Sequence, residues 1–242
     1  HHGSHDKVPE VGLEMINQAG KLKIRFTSGI LFGFGENRLE RVEALLALRG
    51  LQEKYGHIQE IIIQNFKAKP RTPMQFHPEP ELEEILWTIA IARILFAPEM
   101  NIQTPPNLNA NNLERILDAG INDWGGISPL TPDHVNPEAP WPELENLSEK
   151  MTSLGKCLTE RLAIYPSYAV NHQLWIDPKV LSKLRQLVDQ QGFAREDKWC
   201  AGEDNLPNIQ QKFSSEITKD QNTPVTQILE KIASGCEADE SE

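Results

Sequence analysis

Residues 57–66 read HIQEIIIQNF, with Ile61, Ile62 and Ile63 running on without a polar residue between them. A strand with one wet face alternates apolar and polar side chains, so an unbroken run fits a strand covered on both faces, as in a parallel sheet. Residues 21–35, KLKIRFTSGILFGFG, form a second apolar strand pattern upstream. Between the two lies NRLERVEALLALRGLQEKYG, residues 37–56, with Leu39, Val42, Leu45, Leu46 and Leu48 at helical spacing. Asn37 suits its N-cap and Gly56 its stop.

The alternation continues in both directions. A helix is predicted over Val8 to Gly20, and another over PEPELEEILWTIAIARILFAP (78–98), whose first turn is acidic as the helix macrodipole favours. MNIQTPPN (100–107) is a short third strand, NANNLERILDAG (109–120) a helix and INDWGG (121–126) a short fourth strand. Strand and helix in turn, with short connections, define a parallel α/β fold with right-handed crossovers. Beyond it, 141–164 and 177–192 read as two further helices. Residues 1–5, HHGSH, resemble a tag remnant, and residues 200–242 form a polar, acidic tail that reads as disordered apart from a short helix over Val225 to Ala233. The division expected is therefore 6–141 for the α/β body, 142–199 for a helical extension and 200–242 for the tail.

Composition narrows the function classes. A net charge of −11 over 242 residues opposes general nucleic-acid binding, which needs a basic surface. The richest apolar window, ILWTIAIARILFA (85–97), contains Arg93 and is too short to span a bilayer, so no membrane role is expected. Cys157, Cys200 and Cys236 are far apart, with no C-x-x-C, which gives neither a disulfide framework nor a zinc signature. A reducing, cytoplasmic setting is the expectation.

Four parallel strands are too few to close a barrel, and the first would leave a long apolar edge unpaired. Folded proteins cover or blunt such edges. The expectation is that the chain has lost an N-terminal half or that a second chain supplies that half.

In parallel barrels the chemistry collects at the carboxyl ends of the strands. Here those ends read GFGE (33–36), QNFKAKP (64–70), QTPPN (103–107) and DWGGISPLTPDHVNPEAPWP (123–142), all rich in glycine, amides, hydroxyls or proline. GFGE is no dinucleotide fingerprint, because Arg38 stands where the third glycine would be. Gly29 and Gly33, four apart, either open a wall to a flat ligand or relieve crowding. Glu36 suits a ribose hydroxyl as well as a place near the following helix N-terminus. Gln64 and Asn65 end an all-isoleucine run, where buried amides need partners. Lys67 and Lys69 fit a carboxylate clamp or, more simply, a solvated pair, and His57 begins its strand at the opposite end. The last loop gathers Asp123, Thr131, Asp133, His134 and Asn136 between prolines. Ser128 lacks a G-x-S-x-G elbow and Asp133/His134 lack further ligands, so a rigid substrate loop is the economical reading.

TSGILFGFGE, YGHIQEIIIQNFKAKPRTPM, IQTPPNL and AGINDWGGISPLTPDHVNPEAPWP together resemble the radical S-adenosylmethionine subunit of the FO synthases, the 7,8-didemethyl-8-hydroxy-5-deazariboflavin synthases, from about Asp6 to about Trp199. The looser pattern Gly29, Leu31, Gly33, Glu36 is shared with biotin-synthase-like radical enzymes. The resemblance implies the C-terminal half of a radical S-adenosylmethionine (β/α) TIM-type barrel, strands five to eight, plus C-terminal helices. It implies S-adenosylmethionine against Gly29, Gly33 and Glu36, and substrate near Gln64, Asn65, Asp123, Thr131, Asp133 and Asn136. No catalytic residue is assigned. It further implies a [4Fe–4S] cluster on C-x-x-x-C-x-x-C, a motif these 242 residues lack, and hence an N-terminal cluster-bearing half as partner. The reaction implied is radical ring closure, with loss of ammonia, of a tyrosine/5-amino-6-ribitylaminouracil adduct made by subunit 2. The alternative is an inactive truncated or split fragment that only binds a partner. Arg25 and Ser28 depart from the proline and threonine expected in that strand.

Overall fold

Residues 8–128 and 130–195 are described by a computed structural model. The expected tag remnant, Cys200, Cys236, the acidic tail and its short helix lie outside these residues.

The isoleucine run forms β2 (Ile58–Asn65), flanked by β1 (Phe26–Phe32), β3 (Asn101–Thr104) and β4 (Asp123–Trp124). All pairings are parallel and the order is β1-β2-β3-β4. Gly29 lies opposite Ile62, Ile62 opposite Gln103, and Gln103 opposite Asp123, so one row crosses the whole sheet. Phe32, Ile61, Ile63, Ile102 and Trp124 point to one face. There they pack in a single apolar core with residues of α1 (Pro9–Lys21), α2 (Arg38–Tyr55), α3 (Leu82–Leu95) and α4 (Leu113–Asp118). A doubly wound sheet reverses its strand order and takes helices on both faces. Sequential order with helices on one face is instead an arc of a (β/α) barrel.

The other face is open above and covered below. Thr27, Gly29 and Leu31 of β1 are exposed on it, while Ile62 and Gln64 of β2 are half-buried. The isoleucine run is thus sealed at Ile61 and Ile63, both fully buried, and only partly covered at Ile62. Among the described residues no strand pairs with the outer edge of β1.

Local chemistry sets the element ends. Asn37 accepts from Glu40 N at 3.1 Å while Glu40 accepts from Asn37 N at 2.7 Å, a reciprocal capping box. Gly56, at φ +65°, ends α2 in the left-handed region. The C-terminal part differs from expectation. α5 spans only Leu144–Ser153, because Gly155 turns the chain at φ +70°, and residues 156–164 run without helix. Two short helices, α6 (Pro166–Val170) and α7 (His172–Trp175), precede α8 (Pro178–Leu187), which Asp177 caps at Lys179 N. No helix among the described residues is long and apolar enough to cross a membrane.

Replacing Asn37 by alanine removes one half of the capping box. A loss of about 1 kcal/mol is expected, read as a lower urea midpoint with unchanged slope.

Candidate functional site

The turn after β1 is held from within. Gly33 takes φ +97°, and a Cβ there would lie 2.6 Å from Pro80. Glu36 accepts from Gly33 N at 2.8 Å, Phe34 N at 3.1 Å and Arg41 Nε at 2.9 Å. Burial works against its charge, but these donors outweigh it and hold its pKa below the usual carboxylate value. Arg41 is 7% exposed and reaches on to Glu84 at 2.8 Å and Thr88 at 3.1 Å, tying the turn to α3. Gly29 is needed for close approach: a Cβ there would meet the Ile62 carbonyl oxygen at 2.1 Å. Both glycines therefore have a packing role, and the Glu36 carboxylate is engaged by its own turn.

At the carboxyl ends of β2 and β3 buried polar atoms lack partners. Asn65 is 2% exposed; its Oδ1 accepts from Asn109 at 2.8 Å, while its Nδ2 has no partner among the described residues. The same holds for Gln103 Oε1, Thr104 Oγ1 and Asn107 Oδ1. The remaining orphan, His57 Nδ1, sits at the other end, where His57 Nε2 meets the Ile16 carbonyl at 2.9 Å. Such atoms are rare in folded chains and concentrate where ligands or water complete them.

The long loop after β4 is folded by Asp133. Its Oδ1 accepts from Val135 N at 2.8 Å and Asn136 N at 3.0 Å, and its Oδ2 from Asn136 Nδ2 at 3.0 Å and Asn107 Nδ2 at 2.9 Å. Burial opposes the charge, but this ring of donors lowers its pKa to about 2. Asn136 Oδ1 accepts from Lys69 Nζ at 2.6 Å, and Lys69 also pairs with Glu138. Lys67 pairs with Glu79 at 2.7 Å. Both lysines are thus engaged rather than merely solvated. Thr131 is exposed and donates to Ser128 Oγ at 2.8 Å.

Asp123 lies elsewhere. On the open face, its Oδ2 accepts from Arg161 Nε at 2.8 Å and Nη2 at 2.6 Å. The Tyr165 hydroxyl stands between Asp123 Oδ2 and Glu60 Oε2, the latter 2.5 Å away, with one proton to give. Thr27 Oγ1 donates to Glu60 Oε1 at 2.7 Å. Burial and the two carboxylates raise the Tyr165 pKa, so the phenol stays protonated. Burial works against the Arg161 charge, but Asp123, Tyr165 and Glu60 outweigh it and raise its pKa. Gln59 clasps the same segment, donating to Ala163 O at 3.1 Å and accepting from Tyr165 N at 3.3 Å. Residues 159–165 are therefore a strap across the lower half of the open face.

The structure brings Gly33 together with Glu36, and Asp133 with Asn136. No hydrogen bond joins the β1 turn to the long loop, or either to Asp123, among the described residues. Sequence reasoning missed Glu60, Arg161 and Tyr165. The signal available was Glu60 itself, a carboxylate inside an apolar strand that has to find a cation.

Two clefts of about 550 and 530 Å³ lie at the amino ends of the strands, the first beside Gln59 and Tyr168, the second beside Asp123 and Cys157. Neither adjoins the carboxyl-end loops. Cys157 is exposed and free, and no group of three or more His, Cys, Asp or Glu among the described residues could hold a metal ion. These residues do not fit a [4Fe–4S] cluster.

Fold and site together define part of a parallel (β/α) barrel whose open face rises toward a loop-rich carboxyl end. No family model matches the chain. It is 47% identical over 195 residues to the 7,8-didemethyl-8-hydroxy-5-deazariboflavin synthase of Methanopyrus kandleri, covering 81% of this chain and 58% of that protein. It is 47% identical over 203 residues to the FO synthase of Streptomyces avermitilis, covering 84% of this chain and 24% of that protein. A 45% identity over 198 residues links it to the FO synthase of Mycobacterium tuberculosis, covering 81% of this chain and 23% of that protein. The chain thus spans between about a quarter and somewhat over half of the curated relatives it matches. The resemblance carried by the motifs extends over four-fifths of the chain, and what it resembles is a part of these synthases.

Two outcomes follow from the ion network and the loop. Arg161→Met leaves Glu60 and Asp123, at 8% and 18% side-chain exposure, without their cation. A loss of about 3–5 kcal/mol is expected at neutral pH, read as a lower urea midpoint. For Asp133 the folded pKa lies below the ordinary 3.8, so its contribution is present above 3.8 and lost as pH falls toward 2. Wild type should exceed Asp133→Asn by about 2 kcal/mol at pH 7, and the gap should close near pH 2, seen in hydrogen exchange of residues 133–139.

Proposed function

We propose that the chain serves in deazaflavin biosynthesis as one part of a radical S-adenosylmethionine FO synthase, completed by a cluster-bearing part. The observation that carries this reading is the 47% identity over 195 residues with the Methanopyrus kandleri synthase. The open face and the outer edge of β1, with which no strand pairs among the described residues, support it, since they leave room for further strands. A [4Fe–4S] cluster with S-adenosylmethionine supplies radical hydrogen abstraction, and no described residue ligates such a cluster.

On this reading the chain's own residues position and shield. Gly29, Gly33 and Glu36 form the wall toward S-adenosylmethionine, with Glu36 fixing the turn through Gly33 and Phe34. Gln64, Asn65, Thr131, Asp133 and Asn136 stand at the carboxyl end toward substrate. Asp133 and Asn136 act by holding the loop rigid, because their polar atoms are spent on it. Asp123 acts through the strap, its carboxylate being taken by Arg161 and Tyr165. The substrate is the tyrosine-derived ribitylaminouracil adduct, supplied by subunit 2, and the product is the ring-closed deazaflavin.

The absence of C-x-x-x-C-x-x-C favours a second reading, an inert fragment that only binds a partner. Anaerobic co-expression with the C-x-x-x-C-x-x-C-bearing part of a relative, in the presence of subunit 2 to supply the adduct, separates the two. The proposal expects 5′-deoxyadenosine and deazaflavin fluorescence from the pair and neither from this chain reconstituted alone with iron and sulfide. A folded, cluster-loaded pair that makes no deazaflavin would favour the inert fragment. Formation of 5′-deoxyadenosine by the isolated chain would overturn the need for a partner.

A further inference from the structure

The upper half of the open face carries a pattern of its own. In the row Gly29–Ile62–Gln103–Asp123, Asp123 is engaged by the strap, but Gln103 is not. Gln103 is 6% exposed, and its Oε1 has no hydrogen-bond partner among the described residues. Gly125 shares the face of Asp123, and a Cβ at Gly125 would lie 1.9 Å from that Oε1. The glutamine amide is therefore seated against bare backbone, in space that any other residue at 125 would fill. Its diagonal neighbour across the β2–β3 ladder is Gln64, half-buried, whose side chain makes no hydrogen bond among the described residues. Strand spacing and rise put two such positions about 8 Å apart, within reach of one six-membered ring. Around them the face is flat or apolar: Gly29, Leu31, Ile62 and Gly125.

A buried acceptor without a donor is unfavourable unless something completes it. The strap cannot, since its cation is committed to Asp123 and Glu60. We infer that Gln103 and Gln64 form a specificity pair that reads the lactam edge of a planar nitrogen heterocycle lying on Ile62 and Leu31. The ring N–H donates to Gln103 Oε1, and the adjacent ring carbonyl accepts from the Gln64 amide. This rests on the FO reading, deepening it to the residues that recognise the heterocycle, and a site built to hydrogen-bond a ring N–H rejects analogues that lack it.

The test is calorimetric binding of 6-ribitylaminouracil, its N3-methyl derivative and uracil to the full chain and to Gln103→Met. Removing an orphaned acceptor should leave the urea midpoint unchanged or raise it, whereas a glutamine with a purely structural role would lower it. Wild type should prefer the N–H compound to the N-methyl compound by about tenfold, and Gln103→Met should lose that preference; Gln64→Met, at a less buried position, should weaken binding of both. Equal preference in wild type and Gln103→Met, or no binding by wild type, overturns the inference and leaves the FO reading standing. If uracil binds as tightly as 6-ribitylaminouracil while the preference still depends on Gln103, the inference stands and the FO reading loses its support.

Discussion

A parallel sheet needs cover on both faces, and among the described residues this one receives helices on only one. Everything distinctive in the structure answers that constraint. On the helix face Ile61 and Ile63 are sealed into a continuous core. On the other face cover comes from a non-helical strap, and only over the lower half. The strap is not apolar. It is held by Arg161 between Asp123 and Glu60, with Tyr165 donating into the same pocket. A buried arrangement of this kind is weakly stabilising as a whole and costly to break in part, so it specifies where the strap goes more than it adds to stability.

Covering the lower half alone divides the open face by chemistry. Below, Arg161 is paired with both Glu60 and Asp123. Above, the face carries glycines, aliphatic side chains and two glutamines, and Gln103 Oε1 is buried without a hydrogen-bond partner among the described residues. The helix side of the same end shows a related deficit at Asn65, Thr104 and Asn107. The loops that rise there are rigid rather than loose, since Asp133 organises residues 133–136 and Lys69 ties the loop to the end of β2. A rigid rim around unsatisfied polar groups is the form expected of a preorganised site.

The strands, their order and the ends of α2 were legible because they depend on local pattern: the isoleucine run, the helical spacing of leucines, Asn37 and Gly56. The helix expected over 141–164 stops at Ser153 because one glycine, Gly155, takes a left-handed turn, a choice that periodicity does not reveal. At the site, residue types pointed to the right loops but not to their partners. Glu36 left two roles open, and its engagement by Arg41 emerges only when the turn folds back on α2. Asp123 was grouped with its loop by sequence proximity, whereas its partner Arg161 lies 38 residues away. Long-range ion pairs leave no periodic trace.

The contrast between the strap and the rim has a consequence for ionic strength. Dissolved ions screen exposed charges and reach enclosed ones far less. The Arg38–Glu84, Arg115–Glu83 and Lys69–Glu138 pairs involve partners open to solvent, while Arg161, Glu60 and Asp123 are largely enclosed. Rising salt therefore loosens the carboxyl-end rim first and leaves the strap docked. The two ends of one sheet respond differently to the same electrolyte.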